Sequence, residues 1–165
     1  MSFWKCFAYL ATVGVLSHFF GQALPRRWFI ANSFPWCSFR WERNGKIYDR
    51  IAIRKWKDKL PDMSRIMPDM VPKRILPQSQ PGDIDLLIRE TCVAELTHAV
   101  LMIAGFFCVH IWNAVGGWIV SILFALGNVP FVWIQRYNRP RFVRLYNWMI
   151  AKEQAGGEVN AVGQA

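Results

Sequence analysis

The stretch LTHAVLMIAGFFCVHIWNAVGGWIVSILFALGNVPFVWIQ, Leu96 to Gln135, contains no residue charged at neutral pH. A bilayer core of about 30 Å takes roughly 20 helical residues, so this stretch is long enough for two crossings joined by a turn at Gly116 and Gly117. Phe7 to Phe20 is likewise uncharged. The pattern predicts an all-α membrane protein: about three transmembrane helices, over residues 3–24, 91–112 and 118–134, plus an amphipathic interfacial helix and loop region over 25–90. Residues 1–165 then form a single integral-membrane domain, with a flexible tail over 153–165.

Composition agrees. More than half of the 165 residues are apolar, with nine Trp and twelve Phe, more aromatic surface than a soluble core of this size can hide. The first segment also resembles a secretory signal, with Lys5, an apolar run and Gly21-Gln-Ala23. Its apolar run is long enough to span, which favours a retained helix. Cys6, Cys37, Cys92 and Cys108 show no metal-ligand spacing, and three of them lie in or beside apolar runs, as buried soft residues do.

The formal charge is +9, but its distribution argues against nucleic acid. Residues 25–90 carry 14 Lys/Arg against 8 Asp/Glu, the residues after Ile134 carry 5 against 2, and Asn113 to Gly117 carry none. Such a bias marks cytoplasmic segments. The expected protein is multi-pass in the cell membrane, with its N-terminus outside and C-terminus cytoplasmic, and anionic lipid or phosphate is a second use for the charge.

From Pro25 the sequence mixes arginine with Trp28, Phe29, Trp36, Phe39 and Trp41, rings suited to the head-group layer. Asn44-Gly45 marks a turn. Ile47, Ile51 and Trp56 recur at near-helical intervals, predicting an amphipathic helix that ends at Pro61. Four prolines, Pro68, Pro72, Pro77 and Pro81, make a loop of residues 63–81, able to pack on the membrane through Ile66, Met67, Met70 and Val71. Asp83 reads as the N-cap of the next helix.

An ionisable group inside a spanning helix raises a functional hypothesis. Glu95 and His98 are three apart and share a helical face. An antiparallel return brings Asn128, Gln135 and Arg136 to the same leaflet. The pair Glu95–His98 has three readings: a hydrogen-bonded anchor, a general base whose imidazole Glu95 orients, or half of a di-iron signature, for which no second copy exists. Pro130 disturbs the turn holding Asn128, either as a plain kink or to line a polar cavity. Arg54, Lys55, Trp56 and Lys57 read as a phosphate clamp, although any surface-lying basic helix looks similar.

Three segments together, IRKWKDKLPD (Ile53 to Asp62), ETCVAELTHAV (Glu90 to Val100) and NVPFVWIQRYNRPR (Asn128 to Arg141), resemble the glycosyl-4,4'-diaponeurosporenoate acyltransferase family, small bacterial membrane proteins of staphyloxanthin-type carotenoid biosynthesis. The resemblance covers residues 44–144. It implies O-acylation of a sugar hydroxyl on a membrane glycolipid from a fatty acyl donor, and it transfers no residue roles. Those come from the residues themselves. His98 with Glu95 would deprotonate the hydroxyl, and Arg136 with Asn128 or Gln135 would stabilise the oxyanion. Arg54, Lys55, Trp56, Lys57, Asn138, Arg139 and Arg141 would hold substrate, chiefly the phosphorylated end of a donor such as acyl-CoA or an acyl carrier protein. No metal or cofactor is expected, and no G-x-S-x-G nucleophile exists, which points to direct transfer. Three spans form a thin bundle that a homodimer could complete. The competing reading is a non-catalytic lipid-binding or scaffold subunit.

Overall fold

The computed structural model describes residues 1–60 and 78–162, with 156–162 as backbone alone. Its regular elements are helices: α1 (Ser2–Ala23), a single turn α2 (Ile53–Trp56), α3 (Pro81–Gly105), the short α4 (Cys108–Ile111) and α5 (Val115–Val162). Three stretches, Ser2–Ala23, Pro81–Ile111 and Val115–Ala155, are long and apolar enough to cross a membrane. Their flanks expose Phe3, Trp4, Phe7, Phe19, Ile103, Ile119, Leu123 and Leu126. An apolar surface of this extent is matched by lipid rather than by water, and the protein associates with membranes.

The antiparallel pair α3–α5 is the frame, and small residues set its spacing. A methyl group added to Gly105 would lie 2.6 Å from the Phe124 ring. The Ser121 hydroxyl bridges Gly105 O at 3.0 Å and Gly117 O at 2.8 Å. The reversal falls at Trp112 to Ala114, just before the two glycines expected to make it. Gly116 and Gly117 belong to the first turn of α5, where they let Trp112 fold back onto the helix: a Cβ on Gly117 would be 2.2 Å from Trp112 O. α1 leans on α3, with the Tyr9 hydroxyl bonded to Ala104 O at 3.0 Å.

Two boundaries differ from expectation. α3 begins at Pro81 with Gln80 as its N-cap, so Asp83 occupies the third helical position and accepts the Gln80 N–H at 2.8 Å as the N3 partner of a capping box. α5 does not stop near residue 134. It passes through Pro130 and Pro140 and its backbone stays helical to Val162, into the segment expected to be a flexible tail. Packing accounts for the extension: Phe142, Val143, Leu145, Tyr146 and Met149 cover Ile84, Leu87 and Ile88 at the start of α3.

Residues 25–60 are a chain of short helical turns at Arg26–Trp28, Arg40–Glu42, Lys46–Ile51, Ile53–Trp56 and Lys57–Lys59. The continuous helix expected from Ile47 to Pro61 is interrupted at Ala52, whose φ of 51° is left-handed and incompatible with a right-handed run. The Asn44-Gly45 turn is present. Gly45, at φ 82°, backs onto α5 where a Cβ would lie 3.2 Å from Tyr137 O. Trp28, Ile30, Phe34 and Trp41 are exposed, in keeping with a head-group layer. The proline-rich loop with Ile66, Met67, Met70 and Val71 lies outside the described residues.

Gly117 and Gly127 give opposite expectations. Gly117→Ala pushes a methyl into backbone that cannot yield and should destabilise by about 1–3 kcal/mol. A Cβ on Gly127 meets nothing within 4 Å, so Gly127→Ala should gain up to about 1 kcal/mol of helix propensity. Thermal unfolding in nanodiscs compares the two; equal midpoints would contradict the close approach at Gly117.

Candidate active site

Thr91, Glu95 and His98 fall at i, i+4 and i+7 and line one face of α3. Opposite them, α5 presents Asn128, Phe131, Gln135, Arg136 and Arg139. Because the helices are antiparallel, the partners run in reverse order, and the seam is a ladder. His98 Nδ1 lies 2.9 Å from Asn128 Oδ1. Glu95 bonds Arg136 Nη1 through Oε1 at 2.7 Å and Arg139 Nη2 through Oε2. Arg139 also donates to Thr91 Oγ1 at 2.9 Å and to Thr91 O at 3.0 Å.

The ladder continues out of the helices. Arg136 Nε donates to Glu42 Oε1 at 2.6 Å, which also accepts the Tyr48 hydroxyl at 2.6 Å, while Glu42 Oε2 accepts the Phe39 N–H at 2.7 Å. Carbonyls of the same segment take further guanidinium hydrogens: Pro35 O and Cys37 O from Arg136, Trp36 O from Arg139. The Arg136 guanidinium stacks 4.5 Å over Phe39. Glu42, Glu95, Arg136 and Arg139 are all buried, two carboxylates against two guanidiniums. Burial and the bond to Glu42 raise the Tyr48 phenol well above its ordinary pKa. Its neutral form is therefore kept through the physiological range, and its contribution fades only as strongly alkaline pH rises through the shifted value.

The expected site residues thus separate. Arg136 turns inward, but to Glu42 and Glu95. The orienting bond described for His98 comes from Asn128, while both oxygens of Glu95 serve arginines. Arg139, expected to hold a donor phosphate, is buried and committed to Thr91, Trp36 and Glu95. Gln135 is buried on the Asn128 face, and Asn138 is half-buried. Arg54 donates to Asp49 at 3.1 Å and to the Tyr137 hydroxyl at 2.9 Å, and the latter bond raises its pKa. Arg141 stacks 3.4 Å over the Tyr137 ring and reaches Asp49. Lys55 is exposed, Lys57 pairs with Asp58, and the Trp56 indole donates to Ile51 O. Among the described residues no group of three His, Cys, Asp or Glu comes together, so no residue set is assigned to a metal.

A cavity of about 340 Å³ opens between residues 31–44 and the 136–144 stretch of α5, with Trp36, Ser38, Glu42, Asn44, Arg136 and Arg144 on its walls. His98 and Asn128 are not among its lining. Glu42, which ties cavity to seam, escaped the sequence reading. A signal was present: it is the single acid among residues 25–48.

The family model described as glycosyl-4,4'-diaponeurosporenoate acyltransferase matches residues 25–147. The chain belongs to this acyltransferase family. Relatives bearing that name in Staphylococcus aureus strains N315 and USA300 are 31% identical over 129 residues, 76% of this chain and 76% of theirs. No solved structure matches. Membership decides between enzyme and non-catalytic subunit: the chain is an acyltransferase. The matched region begins after α1 and contains the whole ladder, the cavity and the basic turns around Arg54.

Removing one carboxylate from the ladder leaves a buried guanidinium unpaired. Glu42→Gln or Glu95→Gln should cost about 3–5 kcal/mol, read as a lowered unfolding midpoint, whereas Lys55→Ala at the surface should leave it unchanged. An unaltered midpoint for Glu42→Gln would show that the ladder does not hold residues 35–42 in place.

Proposed function

We propose that this acyltransferase moves a fatty acyl group from a thioester donor, acyl-CoA or an acyl carrier protein, to a sugar hydroxyl of a membrane glycolipid. The relatives are named for glycosyl-4,4'-diaponeurosporenoate, and a glycosylated carotenoid of that kind is the acceptor proposed here. The enzyme spans the bilayer with its N-terminus outside and its basic turns and the C-terminal part of α5 on the cytoplasmic side, following the Lys/Arg bias.

The observation that carries the mechanism is the setting of His98. Asn128 donates its Nδ2 hydrogen to Phe124 O at 2.9 Å, which turns Oδ1 to the imidazole as an acceptor. Nδ1 therefore holds the proton, and Nε2 carries the lone pair a general base needs. Phe131 stacks on the ring at 4.6 Å and fixes its plane. In the proposed reaction Nε2 takes the proton of the sugar hydroxyl as its oxygen attacks the thioester carbonyl. The tetrahedral intermediate collapses, the C–S bond breaks, and the imidazolium returns the proton to the leaving thiolate.

Arg136 has four of its five N–H groups engaged by described partners. The remaining Nη2 hydrogen and the amide of Gln135, seven residues from Asn128 on the same face, are the proposed oxyanion donors. Arg54, Lys55, Lys57 and Arg141 remain as the rim that attracts a phosphorylated donor, and Arg139 leaves that set. Direct transfer is supported by Cys92, which is fully buried with its thiol on Ile88 O, out of reach for an attacking nucleophile.

Mass spectrometry of lipid extracts tests the base. His98→Ala, expressed and folded to the wild-type level, should lower acylated glycolipid by at least about 100-fold, and Asn128→Leu should lower it less. Unchanged product in His98→Ala would remove His98 from the mechanism. Cys92→Ser should keep its activity, and an acyl group trapped on Cys92 would replace direct transfer with an acyl-enzyme.

A further inference from the structure

We infer that the cavity between residues 31–44 and α5 receives the amide-bearing phosphopantetheine arm of the thioester donor, with Arg144 holding its phosphate. This rests on the proposed acyl transfer and supplies the donor site that the rim residues alone do not define.

Position is the first argument. Asn128 and Arg144 are 16 residues apart on one helix, about 24 Å along its axis. The cavity therefore begins beside Arg136 and leads away from His98 toward the basic end of α5. A lipid acceptor approaches from the apolar flank of the seam. A donor from the aqueous side needs an extended arm to carry its thioester from the charged rim down to Arg136.

The chemistry of the walls is the second argument. Arg136 and Arg139 are already balanced by Glu42 and Glu95, so the inner wall offers hydrogen bonds rather than net charge. Arg144 is different: it is exposed at the cavity and makes no ion pair with a described residue. A ligand with one anionic end and a neutral, amide-rich body matches this arrangement. Trp36 provides an apolar wall for the arm's methylenes, and Asn44 an amide at the mouth beside Gly45 and Arg141.

The third argument is Ser38. Its hydroxyl is the one buried side-chain polar atom among the described residues without a hydrogen-bond partner, and the residue lines this cavity. Such an orphan is costly. One χ1 rotation would turn it to an amide of the arm, and ligand binding would then satisfy it.

Cys37 provides the test. It borders the cavity, and it is the one of the four cysteines that is not fully buried. In the full chain in nanodiscs, S-methyl phosphopantetheine should protect Cys37 from N-ethylmaleimide, and Arg144→Ala should raise the concentration for half-protection about 10-fold. S-methyl pantetheine, which lacks the phosphate, should protect weakly and be indifferent to Arg144→Ala, while Ser38→Val should weaken both. Saturation-transfer NMR of S-methyl phosphopantetheine reports the same binding should Cys37 prove unreactive. Equal protection by inorganic phosphate alone, protection by a short alkyl glucoside instead, or no binding by either method overturns the assignment. These readouts need no turnover, so binding without acyl transfer would refute the proposed reaction and leave the arm site standing. Where transfer is measured, Arg144→Ala should raise the donor KM with the acceptor KM unchanged; the reverse pattern also overturns the site.

Discussion

Four buried charges, Glu42, Arg136, Glu95 and Arg139, hold together parts of the chain that are otherwise unrelated. An isolated ion in an apolar interior costs several kcal/mol even after relaxation, and no member of this set is isolated. Each carboxylate binds through both oxygens, and each guanidinium adds backbone carbonyls of residues 35–37. The set sums to zero charge, so it can lie between apolar helices. It also locks the register of α3 against α5 that the Gly105–Ser121 end sets, and it fixes the path of residues 35–42 and the inner wall of the cavity.

This changes what the arginines at the end of the apolar run mean. A lip of Arg136, Arg139, Arg141 and Arg144 reads as a positive stop signal, and charge alone makes them equivalent. The structure divides them by helical angle. Arg136 and Arg139 turn inward to Glu42 and Glu95, Arg141 lies on Tyr137 beside Asp49, and Arg144 meets the cavity with no ion pair to a described residue. The buried set contributes nothing to the formal +9, so the charge that a lipid meets comes from the other basic residues, among them the turns around Arg54 and the exposed Arg144.

The helical frame was legible because a bilayer-length window without charge has few other physical readings. The same logic singled out Glu95, His98, Asn128 and Arg136, since polar groups in apolar helices are expensive and conspicuous. Their partners were not legible. Spacing of three says that Glu95 and His98 share a face, but which of them meets Asn128 and which meets Arg136 depends on the axial offset of two helices, set by Gly105, Ser121 and the fold of Trp112 over Gly117. The turns of 25–60 were harder still. Ile47, Ile51 and Trp56 carry a near-helical period, and nothing about Ala52 announces a left-handed backbone. Nor did Pro140 end α5, because packing of Phe142 to Met149 on Ile84 to Ile88 outweighs the lost hydrogen bond.

The two upper rungs of the ladder differ in kind. The Glu95 rung is closed: its charges are saturated, and moving a proton there would break the pairing that holds the fold. The His98 rung is a chain of hydrogen bonds that joins Phe124 O, the Asn128 amide and Nδ1 of the imidazole. A carbonyl cannot donate, so the amide cannot flip without losing its bond to Phe124 O. The helix backbone thereby turns an acceptor, Asn128 Oδ1, toward Nδ1 of His98. In the proposed reaction the proton cycles at Nε2 of this ring, so that proton transfer and the holding of the fold fall to different side chains of one helical face.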